Sequence, residues 1–553
     1  MKFQEYDCVL PQFDKFPEQR KMELRQKKKE YAFAPAGDQE GLPCEVKKMP
    51  EGESFSNTYK WKIFYTQVQD LISLKIIEFT TSPFKSVDDL GKLYRRRKAF
   101  PEPTGMHHWK SDVEFGKQRL TGCNPGIIQL CTKIPEKFDV TDEMLQPLLE
   151  EMTIKEAIKM KRLFIVDLEV TKDVGCTYQD KEICSPIALF FVDKESTLRP
   201  VAIQLFQDKA EDNPVFLPTD DEYTWMFAKM WFNNADASYH QSVAHLGMTH
   251  LLVESIAAAT HSCLSPSHPL FRLLAPHFLY LMAINKLAWE LLISEGGWVD
   301  KTMTIGRPGL FELLRRRFKT WRLDTDGNFP KDLESRGVLD PAVLPQYYFR
   351  DDALLLWDAI YDYVTTVVNG HYDTEIKISG DFELQEWHNA LSLPVNEGGC
   401  GIKGVPGKGS FKTTAEIILT VASTIFTSSV LHATVNFGQY DNYGFPPHYP
   451  ASINGKPPTN KEPKTEEDVL KSLPDKMKTL SIMEITKLLS TQATDELGNF
   501  EVNYQFDPVG EKAVKQFRKD LVVVASTIDQ RNNDRDSVYT CLEPKHVPNA
   551  ISI

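Results

Sequence analysis

The spacing of apolar residues along the chain predicts a protein built mainly from helices. After Asp220, apolar positions recur every three or four residues, which is the period of a helix with one buried face. The segments with this period are 223–231, 243–260, 276–295, 353–368, 413–435 and 511–529. The pattern therefore predicts one large, mainly helical domain.

Three short runs of branched and aromatic residues interrupt this helical pattern. They are LFIVDLEV from Leu163, PIALFFV from Pro186 and VAIQLF from Val201. Runs of this length and composition are typical of strands, so a small β element is expected. A stretch rich in Pro and Lys begins at Asn454 and should be an exposed loop.

Residues 1–104 differ in character from the rest. They contain a strongly charged run at 21–31 and no regular alternation of apolar and polar residues. Residues 59–79, from Tyr59 to Phe79, place Trp61, Phe64 and Val68 at helical spacing. We therefore predict a mostly helical N-terminal extension at 1–104 and a main domain at 105–553.

The predicted helix at 59–79 has two interpretations. It is an amphipathic helix packed on the body, or it is a helix that also touches a membrane surface. Trp61, Phe64 and the nearby cations Arg95–Lys98 are the features that favour membrane contact.

Charge and cysteine usage exclude several classes of protein. With 64 Lys and Arg against 77 Asp and Glu, the net charge is −13. The protein therefore has no excess of positive charge with which to bind the phosphates of nucleic acid. Nine cysteines without a C-x-x-C pair indicate free thiols in a reducing compartment. The N-terminus lacks an apolar leader, and no run of 18 apolar residues is present. We expect a cytoplasmic protein, with peripheral membrane contact as the open alternative.

Histidines provide the first candidate chemistry. Six of the thirteen lie between His240 and His277, and two of them, His245 and His250, are five residues apart in an apolar stretch. In an α-helix of about 3.6 residues per turn, such side chains point about 140° apart. A π-helical turn would bring both onto one face. Without further partners, the pair would be interpreted as two core histidines.

Further candidate metal ligands occur towards the C-terminus. His432 and Asn436 are four residues apart and share a helix face. The chain ends in the apolar sequence VPNAISI, and burial of the α-carboxylate of Ile553 would require a countercharge or a metal. Three imidazoles, one amide oxygen and one carboxylate form a mixed set of ligands that suits Fe(II) or Mn(II).

Several sequence blocks resemble lipoxygenases. These are WMFAKMWFNNADASYHQSVAHLGMTH from Trp225, HATVNFGQYDNYGFPPHYPAS from His432, WKSDVEFGKQRLTGCNP from Trp109 and NPVFLPTDDEYTW from Asn213. The resemblance covers residues 105–553, with its motifs in order. It implies one non-haem iron (Fe2+/Fe3+) with the ligands His245, His250, His432, Asn436 and Ile553.

The resemblance also implies roles for residues around the metal. Gln241 and Gln439 are similar to glutamines that support the ligands, although solvent-facing amides are the alternative. The positions similar to those that line the fatty-acid channel are Ala237, Leu246, Leu251, Ala288, Leu292, Ile293 and Leu489. Ala237 replaces a bulky aromatic of many relatives, and Trp289 stands where many relatives have arginine.

The resemblance implies dioxygenation of polyunsaturated fatty acids that contain a 1,4-pentadiene, such as linoleate, linolenate or arachidonate, to hydroperoxides. The hydrogen acceptor would be an iron-bound hydroxide, and no protein acid–base dyad is expected. Because residues 1–104 do not resemble the β-sandwich lipid-binding domain of longer relatives, no calcium dependence is expected.

Three alternatives remain open at this point. One is a fatty acid hydroperoxide isomerase with the same fold, and another is a lipid-binding protein without catalysis. A zinc hydrolase is the third, but the histidine pair lacks the glutamate of H-E-x-x-H.

Overall fold

The computed structural model describes residues 8–57, 59–60, 84–95 and 100–553. Helices form most of this part of the chain, as predicted. The α-helices are Pro17–Glu30, Asp112–Thr121, Asp142–Leu145, Ile154–Lys159, Glu222–Tyr239, Leu252–Cys263, Pro269–Leu274, Leu281–Ala288, Trp298–Thr302, Gly306–Thr320, Phe329–Ser335, Tyr348–His371, Glu375–Gly380, Phe382–Ser392, Thr414–Phe426, His432–Asn436, Gln439–Tyr443, Glu466–Ser472, Lys476–Leu489 and Pro508–Asp534. Three π-helical segments, His240–Leu251, Trp289–Ile293 and Thr427–Leu431, each continue from a preceding α-helix.

The predicted β element is an antiparallel sheet of five strands in sequence order. The strands are Gln129–Leu130, Leu163–Asp167, Ile187–Val192, Leu198–Gln204 and Val215–Phe216. Side chains such as Phe164 and Phe190 face the main core, whereas Ile165 and Leu189 face a second, smaller apolar cluster. Because both faces of the sheet are buried, its strands have continuous apolar sequences instead of alternating apolar and polar residues.

The described part of residues 1–104 packs onto the main body. The charged run belongs to the largely exposed helix Pro17–Glu30, in which Arg20 is buried in an ion pair with Glu383. A two-stranded ladder, Phe33–Pro35 with Cys44–Val46, was not predicted because three-residue strands carry too little pattern. Tyr94 and its neighbours share the main core. The domain division at 104 stays a prediction, and 59–79 lies outside the described residues except for Tyr59 and Lys60.

The predicted helix at 276–295 is interrupted. Tyr280 adopts a left-handed backbone conformation, with φ of 66°, and the regular helix begins only at Leu281. The continuous helix Leu281–Ile293 then passes from α- to π-helical geometry at Trp289.

One helix of the core reaches the length and hydropathy of a membrane span, although its sequence has no unbroken run of 18 apolar residues. The segment Thr414–Tyr443 is long and apolar enough to cross a membrane, with a mean hydropathy of 1.5. However, 89% of its most apolar window is buried inside the protein, and it carries His432. It is a core helix whose apolar character comes from being surrounded on all sides.

All nine cysteines are free thiols, as predicted.

Candidate metal centre and lipid cavity

The π-helical segment His240–Leu251 brings His245 and His250 together. Their ring centroids are 4.9 Å apart and the ring planes are nearly perpendicular, at 89°. In a regular α-helix a five-residue separation would direct the two rings to different faces. The wider π-helical turn places them on one face, which is the condition stated above for a shared metal, and such turns are frequent at functional sites.

His432 completes a cluster of three imidazoles. It begins the α-helix that follows the π-helical segment Thr427–Leu431, so a second local widening lies beside the site. His432 Nε2 is 3.2 Å from His250 Nε2, which in turn is 3.3 Å from His245 Nε2. All three rings are buried. The three imidazoles therefore form a group that could hold a metal ion.

The protonation of His250 is fixed by Asn285. The Asn285 amide donates from Nδ2 to the carbonyl of His250 at 3.1 Å and to Glu254 Oε2 at 2.6 Å. Its Oδ1 must therefore accept from His250 Nδ1, at 2.8 Å. Burial lowers the pKa of His250 to about 4, so the ring is neutral near pH 7. The proton is on Nδ1, and Nε2 presents a lone pair to the cluster.

A chain of amides fixes His245 in the same way. Starting from the carbonyl of Leu489, Asn436 donates at 2.6 Å, Gln439 donates to Asn436 at 2.8 Å, and Gln241 donates to Gln439 at 2.5 Å. Gln241 Oε1 remains to accept from His245 Nδ1, at 3.2 Å. The two glutamines are therefore internal supports of the cluster, and the alternative of solvent-facing amides is wrong.

The two fixed tautomers create a site for a cation. His245 Nε2 and His250 Nε2 present lone pairs to each other across 3.3 Å, which is repulsive without a positive charge beside them. Burial and the neighbouring histidines hold the pKa of His245 well below its usual range, so a protonated ring does not supply that charge. The residues present fit a metal.

Asn436 and Ile553 lie at the same centre. Asn436 is fully buried, and its amide belongs to the hydrogen-bonded chain that ends at the His245 ring. Ile553 is 5% exposed and lines the same cavity as His245 and His250. The preceding residue, Ser552, accepts a hydrogen bond at its carbonyl from the Tyr59 hydroxyl. The apolar C-terminus is docked in the interior, as its sequence predicted.

An apolar cavity of about 420 Å³ opens beside the cluster. This volume is within the range of about 300–1,000 Å³ for small-molecule sites. Five of the seven predicted channel residues line it: Leu246, Ala288, Leu292, Ile293 and Leu489. Among the described residues of its lining, Glu484 is the charged side chain, and neither Lys nor Arg is present. The cavity is suited to a hydrocarbon chain.

Two predicted channel residues lie elsewhere. Ala237 packs against Tyr443 and Tyr449 and is not among the described residues of the cavity wall. Leu251 follows His250 directly, so its side chain leaves the cluster on another face and packs with Leu314. Both residues were assigned to the channel from the resemblance alone, whereas the packing of this chain directs Ala237 and Leu251 into other apolar clusters.

Trp289 is not among the described residues that line the cavity. Its ring stacks on Phe311, with centroids 5.7 Å apart, and lies against Gly37 of the N-terminal extension. A Cβ at Gly37 would come within 3.0 Å of this ring, and the backbone there is left-handed with φ of 60°. Trp289 therefore anchors the extension.

Sequence reasoning missed three residues that support the centre: Asn285, Glu254 and Tyr59. Burial raises the pKa of Glu254 to about 8, although Asn285 and the Val46 N–H donate to its carboxyl group. The weak sequence signal was a polar residue on an otherwise apolar helix face, at positions 254 and 285. Nothing in the sequence paired Tyr59 with the C-terminus.

Comparison with known proteins places this geometry in a family. The family model described as lipoxygenase matches residues 15–547. The chain is 32% identical to the allene oxide synthase-lipoxygenase protein of Plexaura homomalla, over 99% of this chain and 54% of that protein. It is 33% identical to the polyunsaturated fatty acid lipoxygenase ALOX15B of Rattus norvegicus, over 86% of this chain and 72% of that one. The chain thus spans about half the length of the Plexaura protein.

The fold agrees with solved structures of the same kind. An anaerobic crystal structure of a lipoxygenase variant in complex with arachidonate superimposes with a TM-score of 0.93, at 32% identity. The match covers 99% of this chain and 84% of that one. With a family model over nearly the whole sequence, a matching fold and a buried imidazole cluster beside an apolar cavity, the chain belongs to the lipoxygenase family of oxidoreductases.

Proposed function

We propose that this protein binds one non-haem iron and converts polyunsaturated fatty acids and O2 to fatty acid hydroperoxides. One observation carries the proposal. The Nε2 atoms of His245 and His250 direct their lone pairs towards each other, and they do so beside an apolar cavity. The proposed ligands are His245, His250, His432, Asn436 and the α-carboxylate of Ile553.

The donor set supports iron as the metal. Imidazole nitrogens with amide and carboxylate oxygens suit Fe(II) or Mn(II), whereas a buried structural zinc site is usually tetrahedral and often includes thiolates. Bound iron supplies the one-electron redox chemistry that removal of a hydrogen atom from a pentadiene requires. The protein contributes neutral rings of fixed orientation, held by Asn285 and by the Gln241–Gln439 pair.

The cavity supports a long-chain unsaturated substrate. Its apolar walls exclude water and would hold the hydrocarbon beside the imidazole cluster, which supplies orientation for the reaction. Ala288 lies where the last α-helical turn meets the π-helical segment Trp289–Ile293, and it leaves room beside the bound chain. The arachidonate complex of a structural relative and the substrate named for ALOX15B support the same substrate class.

Conjugated-diene absorbance tests the proposal. Linoleate, linolenate and arachidonate are incubated separately with iron-loaded protein in air, and the products are separated by chiral chromatography. A hydroperoxide with a conjugated diene is expected from at least one of them, and no product is expected under argon. If the protein instead consumes an added fatty acid hydroperoxide without O2 uptake, it is a hydroperoxide isomerase. If neither reaction occurs in protein that retains iron, it is a lipid-binding protein.

We also propose that residues 59–79 help the enzyme collect substrate at a membrane surface. The support is the sequence alone, namely Trp61 and Phe64 at helical spacing near Arg95–Lys98. The double variant Trp61→Ser/Phe64→Ser should bind less to liposomes in co-sedimentation while it keeps activity on dispersed substrate. Unchanged sedimentation would assign these residues a structural role.

A further inference from the structure

A second group of potential metal ligands lies apart from the imidazole cluster. Cys8 precedes the helix Pro17–Glu30, His371 ends the helix Tyr348–His371, and Asp507 directly precedes the helix Pro508–Asp534. One ligand atom from each of Cys8, His371 and Asp507 lies within 4.8 Å of the other two. Three separate chain segments therefore bring a thiol, an imidazole and a carboxylate to one point.

The two oxygens of the Asp507 carboxylate have different environments. Its Oδ1 caps the helix by accepting from the N–H groups of Val509 and Gly510, at 3.1 and 3.0 Å. Its Oδ2 is buried and has no hydrogen-bond partner among the described residues. A buried carboxylate oxygen without a donor is costly, and the groups placed to reduce that cost are the neighbouring Cys8 thiol or a bound cation.

His371 also has a buried polar atom without a hydrogen-bond partner among the described residues. Its Nε2 is 3.4 Å from Asp507 Oδ1 but makes no hydrogen bond of acceptable geometry within the described part of the chain, and the atom is buried. Gln505 Nε2, in a side chain only 3% exposed, also has no hydrogen-bond partner among these residues. Asp507 Oδ2 and Gln505 Oε1 both lie within 3 Å of the point where a Cβ on Gly510 would stand. Because Gly510 has no side chain, both oxygens can approach its backbone closely.

The thiol is protonated in the absence of a metal. Burial and the Asp507 carboxylate raise the pKa of Cys8 to about 12, while Arg272 and Arg20 oppose the shift. Burial also acts to raise the pKa of Asp507, but the nearby His371 ring, the Gly510 N–H and the Cys8 thiol stabilise the carboxylate and hold that pKa below its usual value. The group therefore contains one carboxylate and one neutral thiol, which a divalent ion would convert to thiolate by displacing its proton to solvent.

We propose that Cys8, His371 and Asp507 form a second metal site, which takes zinc and ties the N-terminal segment to two helix ends of the body. Thiolate, imidazole and carboxylate are all common zinc ligands, and three protein ligands leave a fourth position for water or the Gln505 amide oxygen. The site is independent of the proposed oxygenation reaction. Its function is structural: it fixes the start of a segment that contains a 3-10 turn, Pro11–Phe13, and the helix Pro17–Glu30 before the first strand at Phe33.

The test uses the full chain with iron already bound, so that the imidazole cluster is not available to added metal. Zinc is titrated against a competing metallochromic indicator, and zinc and iron are then counted by mass spectrometry of the metals. One zinc per chain is expected in addition to iron, with release of one proton measured in weakly buffered solution. Cobalt replaces zinc in a parallel titration, because a thiolate-to-cobalt absorption band reports directly on Cys8.

Two variants and one control decide the result. Cys8→Ser should remove the cobalt–thiolate band, and Asp507→Asn should weaken zinc binding at least tenfold while it preserves the helix cap. Cys176→Ser changes another half-buried thiol outside the group and should bind zinc as the wild type does. The proposal is overturned if the iron-loaded wild type takes up no zinc, or if Cys8→Ser and Asp507→Asn bind zinc as tightly as Cys176→Ser does.

Discussion

Gln241 donates a hydrogen bond from Nε2 to Oε1 of Gln439 across 2.5 Å, and this bond sets the direction of a chain of amides from Leu489 to His245. The chain ends at the carbonyl of Leu489, which can only accept, so every amide in it has one possible orientation. The direction of the chain fixes the proton of His245 on Nδ1 and leaves Nε2 for a metal.

Replacement of Gln241 by Leu should therefore weaken metal binding. The His245 ring would lose the acceptor at Nδ1, and loss of such a partner typically costs about 10–100-fold in metal affinity or activity. The measurement is iron retained after dialysis against a chelator, together with diene formation. Gln516→Leu, on the exposed face of the last long helix, is the matched control and should retain iron fully. Equal iron retention in both variants would show that the amide chain does not orient His245.

Tyr59 is expected to position the C-terminus. Its hydroxyl donates to the carbonyl of Ser552, and its ring packs on Phe55 and Tyr280 with centroids 4.8 and 4.5 Å away. Tyr59→Phe keeps the ring contacts but leaves a buried carbonyl without its donor, which costs about 1–3 kcal/mol. We expect faster loss of iron, because the Ile553 carboxylate is held less firmly.

Iron release into a chelator, followed over time, measures this effect. Tyr178→Phe removes a hydroxyl from a tyrosine that is 46% exposed, and its release rate should equal that of the wild type. If Tyr59→Phe also releases iron at the wild-type rate, the hydrogen bond to Ser552 stabilises the fold without positioning the ligand.

Glu254 should make stability depend on pH. Its pKa is raised from 4.5 to about 8 by burial, so the folded protein holds a proton there that the unfolded chain has already lost. This contribution to stability is complete below about pH 4.5 and is lost as pH rises to about 8, at up to about 1.4 kcal/mol per pH unit. Glu254→Gln has no proton to lose, so its free energy of unfolding should fall less between pH 6 and pH 8.5. Urea denaturation at both values provides the comparison, and identical pH slopes in the two proteins would exclude the contribution of Glu254.

Ala288 is expected to control where O2 meets the substrate. It lines the cavity at the end of the helix Leu281–Ala288, so its methyl group determines a small part of the space beside the chain. Ala288→Gly should shift the position or chirality of the product, whereas Ala288→Val should mainly block oxygenation by overpacking. Chiral chromatography checks both outcomes. A wild-type product distribution at the wild-type rate in Ala288→Gly would mean that Ala288 only packs the core.

The sequence predicted much of the fold and the centre of the site. Helical periodicity located most long helices, and the five-residue spacing of His245 and His250 identified the π-helical turn as the geometry that would bring both rings together, which the structure has. These features are local, since they depend on residues close together in the chain. The two glutamines were placed correctly only because the resemblance to lipoxygenases supplied their partners.

The residues that sequence reasoning missed depend on contacts between distant segments. Asn285 meets His250 across 35 residues of chain, from a separate helix that begins after the left-handed Tyr280. Tyr59 and Ser552 are 493 residues apart, and no pattern in either segment identifies the other. Ala237 was assigned to the cavity from family position, whereas tertiary packing directs it towards Tyr443.

Iron titration of the metal-free protein tests the central claim most directly. The protein is stripped of metal, iron is added back in steps, and O2 uptake with a polyunsaturated fatty acid is measured at each step. We predict that uptake rises in proportion to bound iron, saturates at one iron per chain, and is absent from His250→Ala at every step. Full O2 uptake by the metal-free protein, or by His250→Ala, would contradict the assignment of this imidazole cluster as the iron site.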